Sequence, residues 1–256
     1  METITVRNQT IGSGKPKVIV PIVQATPEGI EAAAKTIKES PVDLVEWRVD
    51  WFEAFADLER VKAVAKQLRQ ALEDIPLLAT FRTKAEGGEQ GLDSAAYEKL
   101  NRTLIQSGAI DLIDIELFSG EDIVRSLVEC AHQNDVKVVA SSHDFKQTPS
   151  NEDMESRLRT MRDLGADVLK LAVMPNTEDD VVRLLATTRK LANEKEMKPL
   201  VTMAMGETGK ISRVAGELFG STMTFGCVGQ ASAPGQIPVE TLHTLLDVVH
   251  ESLEEC

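Results

Sequence analysis

A lysine interrupts the apolar run ADVLKLAVMP at 166–175. An ammonium group loses its hydration in an apolar interior, so lysine is seldom buried without a partner or a purpose. Either Lys170 points to solvent from an edge strand, or its amine is wanted inside. Burial favours the neutral amine, and nearby cations such as Arg48 or Arg213 would push the same way. A neutral amine in a carbonyl-binding pocket is a nucleophile that forms an imine, and the protonated imine acidifies the neighbouring C–H. A base must then take that proton. His143, in SSHDF at 141–145, titrates near working pH and suits both base and acid work. Glu86 or Asp144 can fix its tautomer. Arg82 and Arg213 offer forks that fit a carboxylate, while Glu46 and Gln236 can exchange hydrogen bonds with hydroxyl groups. The residues together describe imine chemistry on a small hydroxylated keto acid, with no metal or organic cofactor.

Each of these residues also has a structural reading. Glu46 and Arg48 can be an ion pair at a strand end, and Asp114 and Glu116 can salt-bridge to Arg48 or Arg82. His143 can be a capping or core histidine. His132, His243 and His250 lie in helical patterns and read as surface residues. Met203 and Met205 read as apolar pocket walls. The run GETGK at 206–210 lacks phosphate-loop spacing, and Ile211 stands where Ser or Thr is needed.

The elements that carry these residues repeat. After an alternating segment, TITVRNQTIGSG, that reads as a β-hairpin, eight short apolar runs begin at 17, 42, 77, 110, 136, 167, 200 and 223. Amphipathic helical patterns separate them, over 27–39, 57–73, 93–107, 121–133, 151–164, 177–195, 210–219 and 238–252. Pro27 sits just inside a helix start, Ser150 or Asn151 can cap another, and Gly108 and Gly165 follow helix ends. Eight β-α units in one chain of 256 residues predict an α/β fold, a single (β/α)8 TIM barrel over 1–256, with the hairpin closing the N-terminal end. The rival, an open doubly wound sheet, lacks its GxGxxG turn. In a barrel the site lies at the C-terminal strand ends, and that is where charge gathers: Glu46, Arg48 and Asp50 of one parity, Arg82, Asp114 and Glu116, His143, then Lys170, with Lys210, Arg213, Ser232 and Gln236 in the last loops.

Composition narrows the partners. The formal net charge is −13, which repels phosphate backbones and argues against nucleic acid. No apolar run approaches the ~20 residues of a membrane span, and the first residues do not read as a signal peptide. Cys130, Cys227 and Cys256 are spaced neither as a disulfide framework nor as metal ligands, which points to a reducing cytoplasm.

Six motifs taken together go further: EWRVD (46–50), FRTKAEGGEQ (81–90), SSHDF (141–145), LKLAVMP (169–175), GKISRVAGELFGS (209–221) and ASAPGQIP (231–238). In this order, from about residue 17 to the C-terminus, they resemble the type I 3-dehydroquinate dehydratase family. The resemblance implies a usually dimeric (β/α)8 barrel that dehydrates 3-dehydroquinate to 3-dehydroshikimate by syn elimination, the third step of the shikimate pathway. It implies that Lys170 forms the imine, that His143 removes a C2 proton and then protonates the departing C1 hydroxyl, and that Glu86 orients His143. It makes Arg213 the carboxylate-binding residue and places Glu46, Arg48 and Arg82 around the ring hydroxyls and the lysine. Ser232 and Gln236 fall in a mobile loop that closes over substrate. Two positions depart from the family pattern: Pro21 stands where some members have a substrate-contacting serine, and Ser142 where some have Asn. A Schiff-base aldolase, which would want a phosphate-binding glycine loop, and a non-catalytic barrel are the competing classes.

Overall fold

The computed structural model describes residues 1–254, so Cys256 lies outside the described residues. Strands β1 (Ile4–Val6) and β2 (Gln9–Ile11) pair antiparallel, with Ile4 opposite Ile11. Then strands and helices alternate: β3 (Lys17–Ile22), α1 (Pro27–Lys38), β4 (Leu44–Arg48), α2 (Leu58–Leu72), β5 (Leu77–Thr80), α3 (Ser94–Ile105), β6 (Leu112–Glu116) and α4 (Glu121–Gln133). The second half continues with β7 (Lys137–Asp144), α5 (Asn151–Asp163), β8 (Val168–Val173), α6 (Glu178–Ala192) and β9 (Leu200–Ala204). Two short helices, α7 (Ile211–Val214) and α8 (Gly216–Phe219), precede β10 (Met223–Cys227), β11 (Ile237–Pro238) and α9 (Val239–Glu254).

Strands β3 to β9 run parallel in sequence order, and β10 returns to pair with β3, Met223 opposite Lys17. The seam between β9 and β10 is closed at their N-terminal ends. There Thr222 donates its amide to Leu200 O at 2.7 Å, and the Ser221 hydroxyl accepts from Thr202 N at 3.0 Å. The predicted barrel is therefore the observed fold.

Side chains two apart on a strand share a face. The outward face and the helices make one core, in which Val45, Trp47, Ala79, Ile113, Ile115, Leu169 and Leu171 meet α1 to α6. The inward face makes a second: Ile19, Leu44, Leu78, Leu112, Val139, Val168, Val201 and Met223 form a layer that also takes in Val6 and Ile11 of the hairpin. These residues begin their strands, so the hairpin closes the N-terminal end of the barrel, as expected. Helix starts follow the sequence signals. Thr26 accepts from Gly29 N ahead of Pro27, Asp57 and Asp93 cap α2 and α3, and Ser150, not Asn151, caps α5. Each such cap contributes about 1 kcal/mol. Gly108 and Gly165 take positive φ past the helix ends.

Two local readings need correction. The helix read over 210–219 is two separate turns, broken at Ala215, where Gly216 sits against the Ser221 carbonyl too closely for a side chain. The run 42–50 is a strand only to Arg48; Val49–Trp51 forms a 3-10 turn, as do Lys84–Glu86 after β5 and Leu117–Ser119 after β6. These turns bend the chain at the strand ends and re-aim Asp50 and Glu86.

Candidate active site

At the C-terminal end of the barrel the inward positions turn polar in register. Leu44 is followed on its face by Glu46 and Arg48, Leu112 by Asp114 and Glu116, Val139 by Ser141 and His143, and Val168 by Lys170 and Ala172. Lys170 stands level with Ser141 on β7 and Val201 on β9, and His143 level with Ala172 and Met203. A cavity opens above them, lined by Glu46, Arg48, Arg82, Glu86, His143, Lys170, Arg213, Ser232 and Gln236. The nine residues to which the family resemblance gives roles all line this one cavity, whereas Asp50, Asp114, Glu116, Asp144 and Lys210 do not. Met203 and Met205 are walls, as expected, and Gly87, Phe145, Ala172, Phe225 and Ala233 complete it.

Lys170 is buried, with 4% of its surface exposed. Its Nζ lies 3.2 Å from Asp114 Oδ2, 3.8 Å from Glu46 Oε1 and 4.5 Å from the centre of the Phe225 ring. Arginines were expected beside the amine; the structure puts two carboxylates and an aromatic face there. Arg48 is turned to a carboxylate of its own, and Arg213 is turned to the Pro234 carbonyl. Arg48 grips Asp50 with two bonds of 2.7 Å. Asp50 in turn accepts from the backbone amides of Arg82 and Glu89, tying the ends of β4 and β5 together. Of the pairings open to Asp114 and Glu116, Arg82 takes both: Nη2 reaches Asp114 at 2.8 Å and Nη1 reaches Glu116 at 2.9 Å and Ser141 Oγ at 3.0 Å. Burial works against the Arg82 charge, but the surrounding carboxylates outweigh it and raise its pKa. Asp114 mirrors this: burial opposes its charge, while Arg82 and Lys170 hold its carboxyl below the ordinary range. The Thr80 hydroxyl donates to Glu46 and the Thr83 hydroxyl to Glu116, so the strand-end carboxylates have partners.

His143 and Glu86 form a pair. Glu86 Oε2 lies 2.9 Å from His143 Nδ1 and accepts from the His143 amide at 3.1 Å. The 3-10 turn at 84–86 delivers the carboxyl group, so of the two candidates it is Glu86 that reaches the imidazole. Asp144 instead accepts from the amides of Lys146 and Gln147. Burial, then Arg82, Lys170 and Arg48, hold His143 well below its ordinary pKa, so the ring is neutral at pH 7. Burial also pushes Glu86 up to about 8, with Glu116 and Asp114 adding to it and Arg82 opposing. With Nδ1 engaged, Nε2 is the ring nitrogen left to work as base. The Phe145 ring stacks on His143, centroids 6.5 Å apart, and Gly87 leaves the room that Phe145 fills.

Arg213 comes from the broken helical segment, and burial lowers its pKa to about 10. Its Nη2 donates to Pro234 O at 3.1 Å, its Nη1 faces Met203 Sδ, and its Nε is buried with no partner among the described residues. Beyond it, the Gln236 amide nitrogen donates to Ser232 Oγ at 3.0 Å. What the sequence reading missed are the aromatic walls and Asp50's grip on Arg48. Phe145 and Phe225 stand two residues beyond His143 and Met223, so the same-face rule carries a signal for both. Asp50's fold-back depends on a turn that strand periodicity hides.

Comparison with known proteins agrees with this geometry. The family profile described as type I 3-dehydroquinase matches residues 18–253. A 3-dehydroquinate dehydratase of Shigella boydii serotype 4 (strain Sb227) is 47% identical over 252 residues, covering 98% of this chain and 100% of that protein. Among solved structures, the type I 3-dehydroquinate dehydratase from Clostridium difficile, described with covalently modified comenic acid, superposes with a TM-score of 0.95 at 44% identity, covering 98% of each chain. The 3-dehydroquinate dehydratase from Geobacillus kaustophilus HTA426 has the same TM-score of 0.95 at 39% identity, covering 98% of this chain and 97% of that one. A profile match over nearly the whole chain, close relatives along its full length and a barrel with a buried lysine among strand-end charges converge: the chain belongs to the type I 3-dehydroquinase family.

Proposed function

We propose that this chain dehydrates 3-dehydroquinate to 3-dehydroshikimate through a Schiff base on Lys170. The reaction is that of the family, a hydro-lyase of the shikimate pathway. The observation that carries the assignment of roles is the shared cavity. The buried Lys170 amine and the His143–Glu86 pair line the same space, with His143 two residues further up the adjacent strand than the residue opposite Lys170.

Nζ of Lys170 adds to the ring ketone, and loss of water gives the iminium. Asp114 and Glu46 anchor the amine during this step. His143 Nε2 takes a proton from C2, and the C–H electrons move into the iminium to give an enamine. The enamine expels the C1 hydroxyl, which leaves as water with the proton that His143 returns to it. One group serving as base and then acid on one face gives syn elimination. A second water hydrolyses the product iminium, freeing Lys170 and 3-dehydroshikimate. The net change is loss of one water. Glu86 holds the imidazole with Nδ1 protonated, so that Nε2 offers its lone pair. Arg213, with a buried donor free, takes the substrate carboxylate. Glu46, Arg48 and Arg82 surround the ring hydroxyls and the lysine, and Ser232 and Gln236 close over the substrate from the last loop. The covalently modified small acid of the Clostridium difficile relative supports a covalent route.

The surroundings belong to the same proposal. The chain works in the cytoplasm as a homodimer on a small molecule, without nucleic acid, metal or organic cofactor. The net charge of −13 supports the absence of nucleic acid, and no helix among the described residues is long and apolar enough to cross a membrane. Light scattering in solution tests the dimer. The activity is tested by adding 3-dehydroquinate and following the absorbance of the conjugated enone. Growth of that band is the expected result, and its absence, or release of a smaller fragment as an aldolase would give, sinks the reading.

A further inference from the structure

We propose that Gly206 and Gly235 form a backbone latch that holds the 228–236 segment over the cavity, which makes Gly235 a positioning residue for Ser232 and Gln236. The proposal rests on the dehydration site described above and adds the device that keeps its roof in place.

Three observations meet at one point. First, the Pro234 carbonyl accepts twice, from Gly206 N at 3.2 Å and from Arg213 Nη2 at 3.1 Å. It therefore ties the last loop both to the turn after β9 and to the arginine that faces the substrate. Second, Gly235 has φ +78°, and a Cβ placed on it would stand 2.3 Å from Gly206 O and 2.9 Å from the carbonyl carbon. Both atoms are backbone, so neither can swing away; a side chain of any size forces the two segments apart. Third, the two polar residues flanking Gly235 are closed on each other, Ser232 N donating to Gln236 Oε1 at 2.8 Å and Gln236 Nε2 to Ser232 Oγ at 3.0 Å. The loop tip is thus a small rigid ring whose place over the cavity is set by the Gly206–Gly235 contact.

A second glycine in the same loop shows that this is more than turn chemistry. Gly229 also has positive φ, +68°, yet nothing lies within 4 Å of where its Cβ would be. Gly229 needs only a residue that tolerates a left-handed backbone, and asparagine does. Gly235 needs the tolerance and the empty space together. The latch also joins roof to substrate. Arg213 spends Nη2 on Pro234 and keeps a buried Nε for an anion, so one guanidinium senses both.

The test compares Gly235→Ala, Gly235→Asn and Gly229→Asn with the unaltered protein. The readouts are kcat and KM for 3-dehydroquinate, the borohydride-trapped adduct at saturating substrate, and proteinase K cleavage within 228–236 located by mass spectrometry. Both Gly235 variants are expected to raise KM about tenfold or more with a smaller change in kcat, to keep the Lys170 adduct, and to be cleaved faster. Gly229→Asn stays within about twofold of the unaltered protein in each. Gly235→Asn with ordinary KM and cleavage would show that only the turn matters and would overturn the latch, as would an unaffected Gly235→Ala. Amide exchange at Gly206 in the unaltered protein reports the contact without any variant: slow exchange is expected, and exchange at the rate of a free loop contradicts the proposal. If the unaltered protein makes no enone, the dehydratase reading fails, while cleavage and exchange still judge the latch.

Discussion

The two ends of the barrel are built from the same strands and both bury their inward side chains, yet they hold opposite chemistry. At the N-terminal end Ile11 and Leu112 are fully buried among aliphatic side chains. One step up the same face of β6, Asp114 is equally buried, with Arg82 3% and Lys170 4% exposed beside it. Burying an aliphatic side chain contributes roughly 1.5–3 kcal/mol. Burying a charge costs several kcal/mol before its partners return anything. The lower layer therefore stabilises the barrel, and the upper layer is tolerated because most of its charges are answered: Arg82 by Asp114 and Glu116, Arg48 by Asp50, Lys170 by Asp114 and Glu46, while Arg213 has no ion-pair partner among the described residues. Strand register makes the division possible, since residues two apart share a face and one strand can supply both layers.

The sharpest way to break this comparison is to remove the amine. Lys170→Ala should abolish imine formation and lower kcat by at least about 10⁴, because no other group supplies covalent catalysis. Steady-state turnover checks it, and turnover within tenfold of the unaltered protein would undo the assignment. Next in size, His143→Ala should still form the imine but lose about 10³ in kcat, within the range of general acid–base catalysis. Turnover like that of the unaltered protein would remove His143 as the base. The lower layer should respond the other way. Leu112→Ala leaves a cavity and should cost about 2–4 kcal/mol in urea unfolding, with kcat and KM nearly unchanged. A large loss of rate with little loss of stability there would erase the contrast between the ends.

The smallest effect concerns the His143–Glu86 pair and is read against pH. Burial, reinforced by Glu116 and Asp114, raises Glu86 to about 8, so the folded protein holds that proton where the unfolded chain has released it. The resulting stability is fully present below the ordinary carboxylate pKa and is lost as pH rises through about 8. Glu86→Gln removes this dependence, so its stability relative to the unaltered protein should climb by roughly 2–4 kcal/mol between pH 5 and 9 while its kcat falls. A constant difference across that range would contradict the burial argument. The rate of the unaltered protein should rise along one limb between about pH 6 and 8 that belongs to the pair, since a base at Nε2 needs Nδ1 protonated and Glu86 able to accept.

The lower layer was the more legible of the two in the sequence. Buried parallel strands read as continuous β-branched runs, and the starts of α1 and α5 followed their caps. The charges that line the cavity were legible too, because charge at the ends of apolar runs has few structural explanations. Their partners were not. Arg48 finds Asp50 through a 3-10 turn that strand periodicity does not announce, and Lys170 finds Asp114 across 56 residues of chain. The break at Ala215 escaped for the same reason, since it answers the nearby Ser221 carbonyl and no local propensity. Contacts between distant segments, which set the electrostatics of the upper layer, leave little trace in local pattern.

The central claim is that the buried amine of Lys170 is the nucleophile. It is tested most directly by adding 3-dehydroquinate, reducing with borohydride and mapping the adduct by mass spectrometry. The account predicts one reduced adduct, on Lys170, in the unaltered protein and in His143→Ala, and none in Lys170→Ala. An adduct on another lysine, or enone formation with no trappable adduct, would contradict it.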